Sequence, residues 1–181
     1  MDITPPGVTT IGGDAEVDHA IATLVLAFVT DPVARWMYDD PHQYLLHIPR
    51  LFRALGKNSF EGGAAQRTND GLGVALWLSP GVHGDDGPLE AVIAGSIAGE
   101  KQAEVVALFE QTEHYRPTEP HWYLSLIGEL CIGTRAVVRR CWNTAFGNAI
   151  GNTSRHTSGP QTRLIPLFTR GMALRSWARS K

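Results

Sequence analysis

Glu113, His114, Glu119 and His121 stand within one short stretch of the chain. Imidazoles and carboxylates are the side chains that most often take or give a proton in catalysis. His121 opens an apolar run, His121 to Ile127, that reads as a buried strand with Gly128 after it. Side chains alternate along a strand, so His121, Tyr123 and Ser125 are expected on one face. For each polar residue the plain alternative is an ordinary surface or capping position. His114 and His121 do not make a metal pair, because no third ligand has suitable spacing, and no metal is expected. Asp85-Asp86 lies in a glycine-bounded loop, Gly81 to Gly87, without EF-hand spacing, and reads as solvated. Gly147 to Gly151 lacks the Lys-Ser/Thr of a phosphate loop.

The elements around these residues follow from periodicity. Val8 to Ile11 reads as a strand. Asp14 is placed as the cap of a helix reaching about Val29, with Val17, Ile21, Leu24, Val25 and Phe28 on its apolar face. Asp31-Pro32 ends it, and Asp31 to Tyr38 reads as a loop of large side chains. Leu45, Ile48, Phe52 and Leu55 form a second helical stripe, with a kink or late start at Pro49 and a stop at Gly56. Ala64–Thr68 and Val74–Leu78 read as strands, and Asn69-Asp70-Gly71 between them as a hairpin turn. Pro88 opens a helix of Leu89, Val92 and Ile93; another carries Val105, Leu108, Phe109 and Thr112 to about His114. The order gives a mixed α/β or α+β domain.

The chain has 181 residues, 43% of them apolar, enough for one well-filled core. No apolar run reaches the roughly 18 residues of a membrane span. The N-terminus lacks the pattern of a signal peptide, so a cytoplasmic setting is the expectation. Cys131 and Cys141 are too few for a disulfide framework. The net charge of −2 hides a division. Residues 1–128 hold seven of the sixteen Lys+Arg and seventeen of the eighteen Asp+Glu, a net −10. Residues 129–181 carry a net +8. A basic tail usually points to nucleic acid, but no binding motif accompanies the charge. Nucleic acid is therefore not the expected partner.

The whole order, and Glu119-Pro-His-Trp-Tyr-Leu-Ser-Leu-Ile-Gly128 in particular, resembles the central strand of the GNAT superfamily of acyl-CoA N-acyltransferases. The segment Ala27 to Tyr38 looks like the same group, and the resemblance covers residues 8–128. It implies a central mixed sheet with flanking helices, and transfer of an acetyl group from acetyl-CoA to a small-molecule or peptide amine. On that reading His121 or Glu113 takes the amine's proton. The backbone of Ser125, Leu126, Ile127 and Gly128 pairs with the cofactor's pantetheine arm as an extra strand would. Asp31, Trp36 and Tyr38 form part of the acceptor pocket. The family's phosphate-holding loop and its leaving-group tyrosine should follow this strand. Here Glu129 to Arg135 does not match that loop, and no tyrosine follows Tyr123.

A slipped reading frame accounts for both the lost pattern and the charge reversal. With each codon begun at the third base of the old one, Cys141-Trp142 must spell leucine and Trp142-Asn143 glutamate. Met172-Ala173 and Trp177-Ala178 must spell glycine, and Phe168-Thr169 tyrosine or histidine. The forced glycines fall at the spacing of the family's closing stretch. Residues 1–128 thus read as the N-terminal two-thirds of the domain. Residues 129–181 read as a frame-shifted tail, leaving the C-terminal third degenerate or disordered. The coding DNA for codons 130–181, read in the third-position frame, should be open and should spell the missing loop, helix and tyrosine. Stop codons there would end the idea.

Overall fold

A computed structural model describes residues 7–130, apart from 85 and 98. Residues 131–181 of the tail, read above as frame-shifted and degenerate or disordered, lie outside the described residues. The elements are β1 (Val8–Thr10), α1 (Asp14–Ala27), α2 (Pro32–Met37), α3 (Pro41–Glu61), β2 (Ala65–Thr68), β3 (Gly73–Leu78), α4 (Asp86–Ser96), α5 (Glu100–His114) and β4 (Tyr123–Glu129).

The sheet runs in the order β1-β2-β3-β4, and every pairing among the described residues is antiparallel. The α+β class stands; the parallel pairing that a mixed sheet needs is not among these residues. The β2–β3 hairpin turns at Asn69-Asp70-Gly71 as its sequence dictates, with Gly71 at φ +71°. One sheet face carries Ala65, Val74, Leu76 and Leu126 into the main core, against residues from all five helices. The opposite face gathers Ala64, Ala75, Trp77 and Leu124, with Trp122 and Ile127 beside them.

Three helix ends differ from the sequence reading, each for a local reason. Asp14 does not cap α1 but is its first residue, after Gly13 at φ +76°. The orphan Gly12 N–H is met instead by Glu16 Oε2 at 2.7 Å, and Glu16 Oε1 accepts from Arg67 of β2 at 2.7 Å. Those two bonds hold the Glu16 carboxyl below its ordinary pKa, the Gly12 N–H first. The loop expected over Asp31 to Tyr38 is a helix. Asp31 Oδ1 accepts from the N–H groups of Val33 and Ala34, both at 3.0 Å, and Pro32 supplies the first-turn φ. The dipeptide that ends one helix therefore starts the next.

Helix α3 begins at Pro41 behind an Asp40 cap and runs through both Pro49 and Gly56. Pro49 removes the N–H that would meet the Leu45 carbonyl, and Leu45 is 61% exposed, so water can meet it. Leu45 thus lies off the buried stripe, which is Tyr44, Ile48, Leu51 and Phe52. Gly56 is not a stop. A Cβ there would lie 2.7 Å from Leu76 Cδ1 and 2.6 Å from Phe60 Cε2, so the glycine lets α3 press onto β3.

Tyr44 ties α3 to α1: its buried hydroxyl donates to the Val25 carbonyl at 2.7 Å. Burial pushes its phenol up to about 12; Asp31 adds to the rise and Arg35, 5.2 Å above the ring, opposes it. The unfolded chain would ionise this group from about pH 10. Its stabilising contribution is complete below pH 10 and is lost as pH rises from 10 to 12. Tyr44→Phe should cost about 1 kcal/mol at neutral pH and flatten the alkaline fall in stability. Denaturant titrations of both proteins at neutral and alkaline pH check this; parallel alkaline falls would exclude it.

Candidate functional site

β4 is as long as the run His121 to Ile127 but shifted by two residues, starting at Tyr123. It continues through Gly128 to Glu129, and the Leu130 N–H donates to Leu72 O at 2.8 Å. Its register against β3 slips once: Leu76 faces Leu126, but Trp77 faces Leu124. Ser125 is the extra residue of a bulge. The bulge brings Ser125 and Leu126 to the helix side together, with Ser125 Oγ donating to Leu55 O of α3 at 3.4 Å and Leu126 in the main core. Leu124 and Ile127 lie on the other face.

Gly128 faces α1, where a Cβ would meet Leu24, Ala27 and Phe28 at 2.9, 3.0 and 3.1 Å. The side chains of Ser125 and Leu126, and the Cα of Gly128, are thus committed to packing. What this half of β4 offers outward is its backbone. Among the described residues its edge away from β3 has no strand partner.

At the other end of β4 the structure brings the two expected proton acceptors into one cluster. Arg116, just beyond α5, joins them. Its Nη1 donates to Glu113 Oε2 at 2.9 Å, and its guanidinium lies 3.8 Å from the centre of the Tyr123 ring. The Tyr123 ring meets His121 edge to face, with centroids 6.2 Å apart. Sequence reading missed Arg116; the Glu113–Arg116 spacing of three was the available signal. The contact with Tyr123 depends on how β4 returns past α5.

This arrangement separates the two candidates. Glu113 is ion-paired, and its side chain is 53% exposed. Its carboxylate is thus engaged by Arg116. His121 Nδ1 lies 2.7 Å from the Glu119 carbonyl oxygen. A carbonyl only accepts, so Nδ1 carries the proton and Nε2 presents a lone pair. Nε2 is buried without a hydrogen-bond partner. The Tyr123 hydroxyl is likewise buried and unpartnered. Burial pushes its phenol up to about 12, with Arg116 opposing and Glu113 adding.

The three expected acceptor-pocket residues part company. Asp31 is buried and caps α2. Tyr38 is buried as well; its ring stacks on His47 at 5.5 Å, and its hydroxyl lies 2.6 Å from Ser96 Oγ. Ser96 donates to the Val92 carbonyl, so Tyr38 is the donor in that pair. Burial raises the Tyr38 phenol above its usual value, against the Ser96 bond. Trp36 alone presents a surface. It is 37% exposed and lines an open groove of about 520 Å³ between α2 and α5, with Val33, Glu104, Leu108 and Gln111.

Among the described residues no group of three or more His, Cys, Asp or Glu side chains could hold a metal ion. Nor is any helix among them long and apolar enough to cross a membrane. No family model and no curated protein matches the sequence. A solved structure from Corynebacterium glutamicum, described as histone acetyltransferase HPA2 and related acetyltransferase, is similar with a TM-score of 0.53. It is 20% identical, over 83% of this chain and 72% of that one. The likeness is one of fold.

Gly128 gives β4 its seat under α1. Gly128→Ala should destabilise the protein by about 1–3 kcal/mol through overpacking, read as a lower midpoint of chemical denaturation. An unchanged midpoint would mean that α1 does not press on β4 as described.

Proposed function

We propose that the chain derives from an N-acetyltransferase that moves an acetyl group from acetyl-CoA to an amine. The observation that carries this reading is β4 itself: a bulge at Ser125, an outer edge without a strand partner among the described residues, and an imidazole just upstream. Acetyl-CoA fits such an edge. Its pantetheine amides would pair with the backbone of Ser125 to Gly128 as a further strand would, which needs nothing from side chains already committed to packing. Backbone donors freed by the bulge would face the thioester carbonyl and stabilise the oxyanion formed on attack.

His121 is the base in this reading, and Glu113 positions Arg116. The neutral amine attacks the thioester carbon and passes its proton to His121 Nε2. The acceptor lies along the Trp36 groove, where the apolar wall suits its body. The acidic balance of residues 1–128 draws a cationic amine toward the domain. Asp31 and Tyr38 shape that wall from inside the fold and do not touch the acceptor.

The residues after Leu130 supply none of the family's pyrophosphate-loop pattern, so the full chain should bind acetyl-CoA weakly. The +8 tail carries the competing reading, a nucleic-acid-binding segment, which predicts salt-dependent binding of DNA or RNA. Calorimetric titration with acetyl-CoA, together with thiol release in the presence of a panel of amines, tests the proposal. The full chain should bind weakly, and the protein read in the restored frame at least ~10-fold more tightly. His121→Gln should lower thiol release ~100-fold and leave acetyl-CoA affinity unchanged. The proposal fails if neither protein binds acetyl-CoA.

A further inference from the structure

Two contacts set the register of α1 against α3. The Tyr44 hydroxyl reaches the Val25 carbonyl, and the Arg53 guanidinium pairs with the Asp18 carboxylate. The later residue of one helix meets the earlier residue of the other, so the two run antiparallel. Leu26 is thus level with Leu45 and Leu46, and Ala22 with Pro49. On α1 the sheet side is that of Leu24, Ala27 and Phe28, which lie against Gly128. Leu26 comes two residues after Leu24 and so points the opposite way, to solvent. Leu26, Val29, Leu45 and Leu46 each leave roughly half or more of their surface in water. One exposed leucine is ordinary. Four large aliphatic side chains on one helix pair make a patch, and such patches mark sites of association.

Charged groups border this patch. The Asp18–Arg53 pair closes one end. Beside it Arg50 is exposed and joins no ion pair among the described residues. At the other end Asp39 and Asp40 are exposed, and their carboxylates accept only from backbone N–H groups. Leu45 stands midway between Asp40 and Arg50, about 7.5 Å along the helix from each. The face therefore carries an unpaired cation at one end, two unpaired anions at the other and a leucine at its centre.

We propose that two copies of the chain meet on this face, about a twofold axis that passes beside Leu45 and reverses the direction of α3. A twofold contact presents the same patch from both sides. Leu45 then meets its own counterpart, Leu26 and Leu46 close around it, and each Arg50 lies over the partner's Asp39 and Asp40. An axis that kept the helices parallel would set Arg50 against the partner's Arg50 and the acids against the partner's acids, which like-charge repulsion disfavours. The face extends about 20 Å from residue 39 to residue 53 and about 20 Å across the two helices, about 400 Å² in outline for each copy. A standard stable interface takes roughly 800 Å² from each partner. The dimer is therefore a reversible one, held in the micromolar range. This inference does not depend on the acetyl-transfer reading.

Analytical ultracentrifugation of the full-length chain from ~1 to ~100 μM tests the proposal. The mass should rise from one copy to two across that range. Leu45→Glu and, separately, Leu46→Glu should each abolish the rise. Both side chains already face water, so far-UV circular dichroism should not change. Charge reversal tests the axis itself. Each Arg50–acid contact occurs twice in the dimer, so Arg50→Asp alone and Asp39→Arg alone should each weaken association ~10-fold. The two together restore opposite charges across the interface and should return it to within ~3-fold of wild type. A chain that stays monomeric up to ~100 μM overturns the proposal. So does an assembly that survives both glutamate variants, because it then uses another surface. Loss in each charge variant without recovery in the double variant overturns the twofold arrangement.

Discussion

The return of β4 to the edge of β3 is the constraint on which the rest of the structure depends. Helices α4 and α5 lie between these two strands in sequence, so this pairing closes a long loop, as the β1–β2 pairing does across α1, α2 and α3. Loop closure costs entropy before any contact repays it. The repayment comes from both faces of the strand at once. Leu126 enters the helix-side core, and Leu124 joins Trp77 and Ala75 on the other side. Gly128 then fixes the depth. Without a Cβ it lets Leu24, Ala27 and Phe28 of α1 come against the strand backbone. Gly56 does the same for α3 over β3. Two glycines thus set the spacing between the helical layer and the middle of the sheet.

The bulge at Ser125 follows from the same placement. Leu126 and Gly128 must face the helices, while Leu124 must face the opposite side. Strict alternation would put Leu124, Leu126 and Gly128 together. One extra residue resolves the conflict by turning the strand over between 124 and 126. A candidate site is one consequence, because a bulge leaves backbone groups outside the ladder. A second is the direction of the strand's start, which carries Tyr123 beneath Arg116 and brings His121 against the Tyr123 ring. Packing demands and site geometry are here one solution.

The sequence disclosed what rests on periodicity and turn chemistry. The β2–β3 hairpin was legible because Asn-Asp-Gly supplies a positive φ between two β-patterned runs. β4 was legible as a continuous apolar run. What stayed hidden depends on contacts between distant residues. Gly56 and Gly128 read as punctuation because the Leu76, Leu24 and Phe28 atoms that need the space are far away in sequence. Asp31-Pro32 read as a terminator because the same chemistry both stops a helix and caps the next. Leu45 was assigned to the core by a stripe whose phase Tyr44, Ile48 and Leu51 correct. In the site, His121 was visible by type and position. Arg116 was not, because its value lies in a ring that only the tertiary fold brings beneath it. The bulge left no mark at all: Ser125 sits among Leu residues with no Gly or Pro to flag it.

The division of charge along the chain acquires a structural meaning from this. The contacts described for His121, Tyr123, Arg116 and the bulge all fall at or before Leu130. Among the described residues, the sheet face, the glycine seats and the ion pair draw on residues 8–130. On the acetyl-transfer reading, the reacting end of the cofactor meets this completed part, while its phosphates need donors from the chain beyond. Affinity and chemistry would then reside in different stretches of sequence. A change of reading frame after Gly128 would remove the grip on the phosphates and leave the proton-handling residues in place. Phosphate recognition uses many backbone N–H groups and a helix N-terminus in one register, so a shifted sequence forfeits it together.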